Sequence, residues 1–368
     1  MSFTSKERVQ KTMNHQEPDR VPTHINANGP VVERLKRALQ VDTTRELLHA
    51  LHIDIFDSRG IDIRGDSSVM PRYIGPEDTG IPRDWSGNIS ELWGIQEITM
   101  DTENGQTITQ EEFPLSEATT IEELEQYCWP DPDWFDYSDM RQRLGEWTEF
   151  AIMCSGGSVF QHPTYVRGMD TLMLDMAANP EMANFVFDKF TDFYYEFYRR
   201  IFEQAGDLID IFALADDLGM QNSLLISPRM FEKFVAPRLQ KMADLAHQYD
   251  IKLLLHSCGD IQKIIPRLIE LGLDVLDPIQ PEAMDPLAIK AEFGKQLCLR
   301  GGISAQQTLT RGTVDDVVAE TQRIMKHLAP GGGYIVAPGH PVLTVDVPTE
   351  NIIAMYETAF THGVYTSC

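Results

Sequence analysis

The stretch IKLLLHSCGD, residues 251–260, is the part of the chain that decides the fold. An apolar run of strand length leads into a histidine and a cysteine two positions apart, and a Gly-Asp pair ends it. Runs of this kind, bounded by turn residues, are typical of strands buried in a parallel sheet. Because strand side chains alternate between two faces, we expect His256 and Cys258 to share one face at the end of this strand.

Seven further runs of the same kind recur along the chain. They are VPTHINAN from Val21, IDIFDS from Ile53, EFAIMCSGG from Glu149, LIDIFALADDLG from Leu208, DVLDPIQ from Asp274, QLCLRGGIS from Gln296 and GGYIVAPGH from Gly332. Helical stretches lie between them, such as the one that Thr313 begins as N-cap. This alternation predicts an α/β fold, a single (β/α)8 TIM barrel over residues 1–368. An open doubly wound sheet is the alternative, but no GxGxxG follows the first strand.

Residues 62–140 interrupt this rhythm and are predicted to form an insertion after the second strand. Within them, ELWGIQEITMDTENGQTITQEEF alternates apolar and polar residues around Glu103-Asn104-Gly105, which is typical of a β-hairpin. Loops that follow strands lie at the C-terminal face of a barrel, where active sites are found. We therefore expect this hairpin to act as a lid over the mouth of the barrel.

Composition narrows the partners and the compartment. The 368 residues carry a formal net charge of −25, which argues against binding to nucleic acid or to an anionic membrane surface. We find neither an apolar run of membrane-spanning length nor an N-terminal secretory signal. The five cysteines are scattered and odd in number, so they do not form a disulfide framework. We expect a cytoplasmic protein, in which a cysteine near a histidine serves a metal or catalysis.

The strand ends supply a candidate metal site. A thiolate and an imidazole are ligands that zinc prefers, so His256 and Cys258 could hold Zn²⁺. His340, at the end of the eighth strand, lies across the barrel from the fifth and is the candidate third ligand. Three protein ligands would leave the open position of a catalytic zinc. In the alternative interpretation, Cys258 packs as a small apolar residue, His256 satisfies a backbone carbonyl and His340 donates to a substrate oxygen.

Other polar residues at strand ends are candidates for catalysis and substrate binding. Asp216 and Asp217 are adjacent, so one can enter the mouth while the other caps a helix, and either can be the catalytic residue. Alternatively, both cap helices or remain loop charges. Four more residues could hydrogen-bond a polar substrate or instead shape turns: Asn26, Asn28, Asp57 and Gln280.

Several segments resemble the uroporphyrinogen decarboxylase superfamily. They are KERVQKTMNHQEPDRVP, ADDLGMQNSLLISPRMFEKFVAPRLQKM, HSCGDI, LDPIQPEAMDP, LRGGIS and GGGYIVAPGH, and they extend over essentially the whole chain. The resemblance implies a (β/α)8 barrel. True uroporphyrinogen decarboxylases of this superfamily carry an arginine-rich first loop for the carboxylates of a tetrapyrrole. The corresponding stretch here, THINANGPVVERL, lacks that arginine motif, which argues against this substrate.

The resemblance is closer to the zinc-dependent methyltransferases that move a methyl group between a corrinoid and coenzyme M. These proteins share His-x-Cys-Gly at the fifth strand, and their third ligand is a cysteine where this chain has His340 in Pro338-Gly339-His340. The resemblance therefore implies Zn²⁺ and a methylcobalamin-type corrinoid, either as substrate or on a partner corrinoid protein. A small molecule with a thiol or methoxy group would be the methyl acceptor or donor. A decarboxylase and a non-catalytic corrinoid- or tetrapyrrole-binding subunit are the alternatives.

Overall fold

The central sheet of this protein consists of strands that lie side by side in the order in which they occur in the sequence. The computed structural model describes residues 3–62, 67–102 and 105–365. Its strands are β1 (Ile55–Asp57), β2 (Arg72–Tyr73), β3 (Gln96–Thr102), β4 (Gly105–Glu112), β5 (Phe135–Asp136), β6 (Ala151–Gly157), β7 (Ile209–Ala215), β8 (Lys252–His256), β9 (Val275–Ile279), β10 (Cys298–Ile303) and β11 (Tyr334–Pro338). Seven of them form one parallel sheet in the order β1-β6-β7-β8-β9-β10-β11.

Helices connect these strands, as the alternation in the sequence predicts. They are α1 (Ser5–Met13), α2 (Gly29–Leu39), α3 (Thr44–Ala50), α4 (Ile89–Leu92), α5 (Ile121–Glu125), α6 (Met140–Gly145), α7 (Gln161–Arg167), α8 (Met169–Ala178), α9 (Pro180–Ala205), α10 (Pro228–Met230), α11 (Ala236–Gln248), α12 (Ile265–Glu270), α13 (Pro286–Phe293), α14 (Val314–Leu328) and α15 (Thr349–His362). Thr313 is confirmed as N-cap of α14, where its hydroxyl accepts from the Asp316 N–H. Within the described ranges, no helix has the length and apolarity that crossing a bilayer requires.

The sheet curls around an interior of two layers. Each of the seven strands contributes one or two buried residues to a shared cluster, the inner apolar layer. Its members from the strands are Ile55, Ala151, Met153, Ile211, Ala213, Leu254, Val275, Cys298 and Ile335. Seven neighbouring strands can each pack residues into one cluster only if the sheet bends around it. The fold is therefore consistent with a TIM-like barrel. Two residues farther along five of these strands come polar or charged residues, the polar layer: Asp57, Ser155, His256, Asp277 and Arg300.

The segment of residues 21–27 lies between the last and the first strand of the sheet. Thr23 pairs with Val336 of β11 through a single parallel bridge, and its carbonyl accepts from the Asp54 N–H at 3.0 Å. The expectation of a regular first strand here is wrong, because this segment forms only isolated bridges. Pro22 has no N–H to donate, and the Thr23 N–H donates to the Asp54 carboxylate at 3.0 Å instead of to a strand.

The fully buried carboxylate of Asp54 binds several segments of the chain at this junction. Besides the Thr23 N–H, it pairs with the guanidinium groups of Arg8 at 2.6 Å and Arg20 at 2.7 Å. Arg8 belongs to α1, and Arg20 directly precedes the 21–27 segment. One carboxylate thus ties α1, this segment and the start of β1 together beneath the inner apolar layer.

Aromatic packing holds Trp93, which lies within the predicted insertion, against the long helix α9. Trp93 is fully buried against Phe190, with ring centroids 4.0 Å apart, and its indole N–H donates to the Tyr194 hydroxyl at 2.8 Å. Strands β2 and β5 of this region pair with each other, and β3 and β4 form a separate antiparallel pair. Of the predicted turn, Glu103 and Asn104 lie outside the described residues. The bounds of the insertion at 62–140 and its role as a lid stay predictions.

Removing the Asp54 carboxylate should destabilise the protein strongly. We expect Asp54→Ala to lower the free energy of unfolding by about 3–5 kcal/mol, because Arg20 loses its carboxylate partner and the buried Arg8 keeps only Asp19. Urea unfolding followed by circular dichroism measures this. Asp42→Ala, which removes an exposed aspartate, is the matched control and should change stability by less than about 0.5 kcal/mol. Similar unfolding midpoints for the two variants would contradict the role of Asp54.

Candidate functional site

His256 and Cys258 meet at the end of β8. His256 is the last residue of the strand, and its Nε2 lies 3.5 Å from the Cys258 Sγ. Both side chains are partly buried. The structure therefore brings the two predicted ligands together on one side of the strand end.

Asp217 completes a cluster with these two residues. Its Oδ1 lies 3.5 Å from His256 Nε2 and accepts from the Cys258 backbone N–H at 2.9 Å. Its Oδ2 accepts from the Gln161 side-chain amide at 3.0 Å. One ligand atom from each of Asp217, His256 and Cys258 lies within 4.8 Å of the other two. Of the two adjacent aspartates, Asp217 is thus the one that faces the predicted metal ligands.

Asp216 points away from this cluster and is fully buried. It accepts from the Ser158 hydroxyl at 2.5 Å and from the backbone N–H groups of Val159, Phe160 and Gln161. Burial raises the pKa of Asp216 to about 6, although these hydrogen bonds act in the opposite direction. Asp216 anchors the loop between β6 and α7. The geometry therefore supports the alternative prediction, helix capping, and gives no support to a catalytic role for Asp216.

A second carboxylate orients the His256 ring from behind. Asp277 Oδ2 lies 2.8 Å from His256 Nδ1, and Asp277 Oδ1 lies 3.2 Å from Nε of the buried Arg300. Arg300 and His256 hold the pKa of Asp277 below its ordinary value against the effect of burial. The ionised carboxylate therefore accepts from Nδ1–H, which directs Nε2 towards Cys258 and Asp217. Sequence reasoning missed both residues because they lie inside strands, although charged residues in otherwise apolar runs were a usable signal.

The backbone loops that carry Asp217 and Cys258 touch each other. A Cβ atom on Gly219 would lie 2.7 Å from the Cys258 carbonyl oxygen, closer than real Cβ contacts occur. Gly259 has a positive φ of 86°, and its N–H donates to Gln280 Oε1 at 2.9 Å. Gln280, expected to bind substrate, thus uses its side-chain oxygen to hold the turn that follows Cys258.

Asp57 ends β1 in the polar layer and is 7% exposed. It accepts from the Ser155 hydroxyl at 2.6 Å and from the Arg59 backbone N–H at 2.9 Å. Burial raises the pKa of this carboxyl group above its ordinary value. The predicted substrate contact of Asp57 stays a prediction, since its visible partners belong to the protein itself.

The three remaining predicted residues lie outside the cluster. The Asn26 side-chain oxygen is buried and has no hydrogen-bond partner among the described residues, whereas Asn28 is exposed and precedes α2. His340 is exposed, and its Nδ1 lies 2.9 Å from the Val342 carbonyl oxygen. The structure does not bring His340 within the cluster; Asp217, which was predicted as a catalytic residue, is the third potential ligand there. Metal binding by His340 stays a prediction.

The donors of the cluster suit a divalent cation such as zinc. They comprise an imidazole nitrogen, a thiol sulfur and a carboxylate oxygen, all of which occur as zinc ligands. Burial would lower the pKa of His256, but the hydrogen bonds to Asp217, Asp277 and Cys258 raise it well above its ordinary value. These surroundings favour a positive charge at Nε2, whether it is carried by a proton or by a metal ion.

Enlarging Gly219 should force the two loops apart. We expect Gly219→Ala to lower the free energy of unfolding by about 1–3 kcal/mol, because the new methyl group would overlap the backbone at Cys258. Gly145→Ala is the matched control, since a Cβ atom there meets no heavy atom within 4 Å. Urea unfolding of both variants measures the difference. If Gly219→Ala is as stable as Gly145→Ala, the close approach of the loops is not a constraint.

Comparisons with known proteins agree with this architecture. The chain is 24% identical over 161 residues to a methylated-thiol–coenzyme M methyltransferase from Methanosarcina mazei; the match spans 43% of this chain and 40% of that protein. A solved structure described as a methyltransferase from Methanosarcina mazei superposes with a TM-score of 0.66 at 18% identity, covering 98% of this chain and 99% of the other. At that identity, the likeness shows a shared fold.

A family profile identifies the chain more directly. The profile described as uroporphyrinogen decarboxylase (URO-D) matches residues 139–362, which include β6 to β11 and the whole of the Asp217–His256–Cys258 cluster. Because this match extends over more than half of the chain, the protein belongs to the URO-D family.

Proposed function

We propose that this protein is a zinc-dependent methyltransferase that transfers a methyl group between a corrinoid of the methylcobalamin type and a small molecule with a thiol or methoxy group. The observation that carries the proposal is the cluster of Asp217, His256 and Cys258 at the carboxyl ends of β7 and β8. The similarity to a methylated-thiol–coenzyme M methyltransferase supports methyl transfer and favours a thiol as the acceptor. A separate corrinoid protein is the proposed partner.

The residues that would hold zinc are His256, Cys258 and Asp217, with His340 as the alternative third ligand that the family resemblance implies. Bound zinc would lower the pKa of a thiol or polarise a methoxy oxygen at neutral pH. His256 would offer Nε2, since Asp277 accepts from its Nδ1–H. Asp217 is positioned independently by the Gln161 amide and the Cys258 N–H. The site is thus oriented by the protein before any ligand arrives.

Metal analysis tests the proposal directly. We expect the protein, purified without chelators, to contain about one equivalent of zinc, as a site with three protein ligands implies. His256→Ala and Cys258→Ser should each abolish binding, because the remaining donors cannot hold the ion. Asp217→Ala should weaken zinc binding by about 10-fold or more, whereas His340→Ala should leave it unchanged if Asp217 is the third ligand. Elemental analysis and titration with a chromophoric chelator measure content and affinity.

A control and an activity assay complete this test. His327→Ala removes an exposed histidine of α14 and should retain the full zinc content. Loss of methyl from free methylcobalamin, followed by absorbance in the presence of 2-mercaptoethanol, should require the zinc-loaded protein. A wild-type protein that neither contains nor takes up zinc would contradict the proposal. Release of carbon dioxide from uroporphyrinogen would instead favour the decarboxylase alternative.

A further inference from the structure

Two buried side chains of the curled sheet carry polar atoms that have no hydrogen-bond partner among the described residues. Arg300 is 4% exposed, and its Nε has no hydrogen-bond partner among the described residues. The neighbouring Asp277 oxygen, 3.2 Å away, is an ion-pair partner that the Nε–H does not point towards. His24 is fully buried, and neither of its ring nitrogens has a partner among the same residues.

The fold directs both side chains into the interior of the curled sheet. Arg300 follows Cys298 of the inner apolar layer by two residues, and it pairs in register with Ile335 of the same layer. Thr23 pairs with Val336, whose side chain packs in the outer core, so His24 lies on the inner side next to β11. Burial, together with the charge of Arg300, holds the pKa of His24 well below the ordinary value.

Such groups are costly unless a ligand satisfies them. A buried polar group without a partner costs about 1–3 kcal/mol, and a guanidinium offers five N–H donors in a planar fork. The neutral His24 ring adds one further N–H. A planar group that shares one negative charge between two oxygens matches this set of donors, because arginine binds carboxylates through two parallel hydrogen bonds. Asn26, two residues after His24, has a buried side-chain oxygen that also finds no partner within the described part of the chain.

We propose that His24 and Arg300 form a subsite for a carboxylate group of the substrate, next to the Asp217–His256–Cys258 cluster. The chain of contacts from Arg300 through Asp277 to His256, at 3.2 and 2.8 Å, places the subsite beside the predicted metal ligands. The substrate would then carry its thiol or methoxy group at one end and a carboxylate at the other. The identity of the reacting end rests on the proposed function, whereas recognition of the carboxylate does not.

The carboxyl groups of the polar layer do not prevent the binding of a further negative charge, the carboxylate of the substrate. Asp277 is balanced by His256 on one side and by Arg300 on the other. Burial raises the pKa of the Asp57 carboxyl group and so disfavours its ionised form, although the charge of Arg300 acts in the opposite direction. The subsite is therefore less acidic than the strongly negative surface of the protein.

Binding measurements can isolate the carboxylate contact. The probes are 3-mercaptopropionate and its neutral amide, 3-mercaptopropionamide, titrated by calorimetry into the wild type, His24→Leu and Arg300→Lys. We expect the wild type to bind the acid at least about 10-fold more tightly than the amide, a factor that corresponds to about 1.4 kcal/mol. Both variants should lose most of this preference while their affinity for the amide changes little. His327→Leu serves as the control and should keep the preference.

Stability separates a binding role from a structural one. His24→Leu breaks no hydrogen bond of the described structure, so its free energy of unfolding should equal or exceed that of the wild type. Equal preference for acid over amide in the wild type and both variants would overturn the subsite, as would the absence of any preference in the wild type. Zinc content and methyl transfer, measured in parallel, report on the proposed function. A protein with both but without the preference refutes the subsite alone.

Discussion

The buried carboxylate of Asp54 is the constraint on which the rest of this structure depends. It takes the Thr23 N–H that a regular strand would have given to its neighbour, and it balances Arg8 and Arg20. The 21–27 segment is thereby held between β11 and the start of β1, where an unprotected sheet edge would otherwise lie. His24 is carried on this segment, so its position inside the curled sheet follows from the same contacts.

The two interior layers divide the work of folding and of function between them. The inner apolar layer supplies hydrophobic burial from all seven strands, and this burial is what holds the sheet in its curl. One step along the strands the interior becomes charged, which would destabilise an isolated group but is tolerated where charges are paired. His256, Asp277 and Arg300 are linked in one chain of contacts. The polar layer therefore depends on the apolar layer for its stability.

The sequence predicted most of the fold because the strands are short apolar runs with clear ends. The first predicted strand failed, since Pro22 and the side chain of Asp54 redirect its hydrogen bonds, which no periodicity reveals. The pairing of His256 with Cys258 followed from alternation alone. The choice between Asp216 and Asp217 could not be made from alternation, because it does not show which of two adjacent residues points towards the site. Asp277 and Arg300 were not predicted, because candidates were sought at the ends of strands and these two charged residues lie within strands.

Backbone contact between the loops after β7 and β8 has an evolutionary consequence. Gly219 and Gly259 approach so closely that a side chain on either one would collide with the other loop. Neither position can therefore accept a larger residue unless the opposite loop shifts in the same lineage, so the two loops should diversify as a pair. The same contact limits the independent motion of Asp217 and Cys258. A ligand that both residues hold would bind side chains that are already ordered by folding. Binding would therefore cost less conformational entropy, and the affinity would be higher.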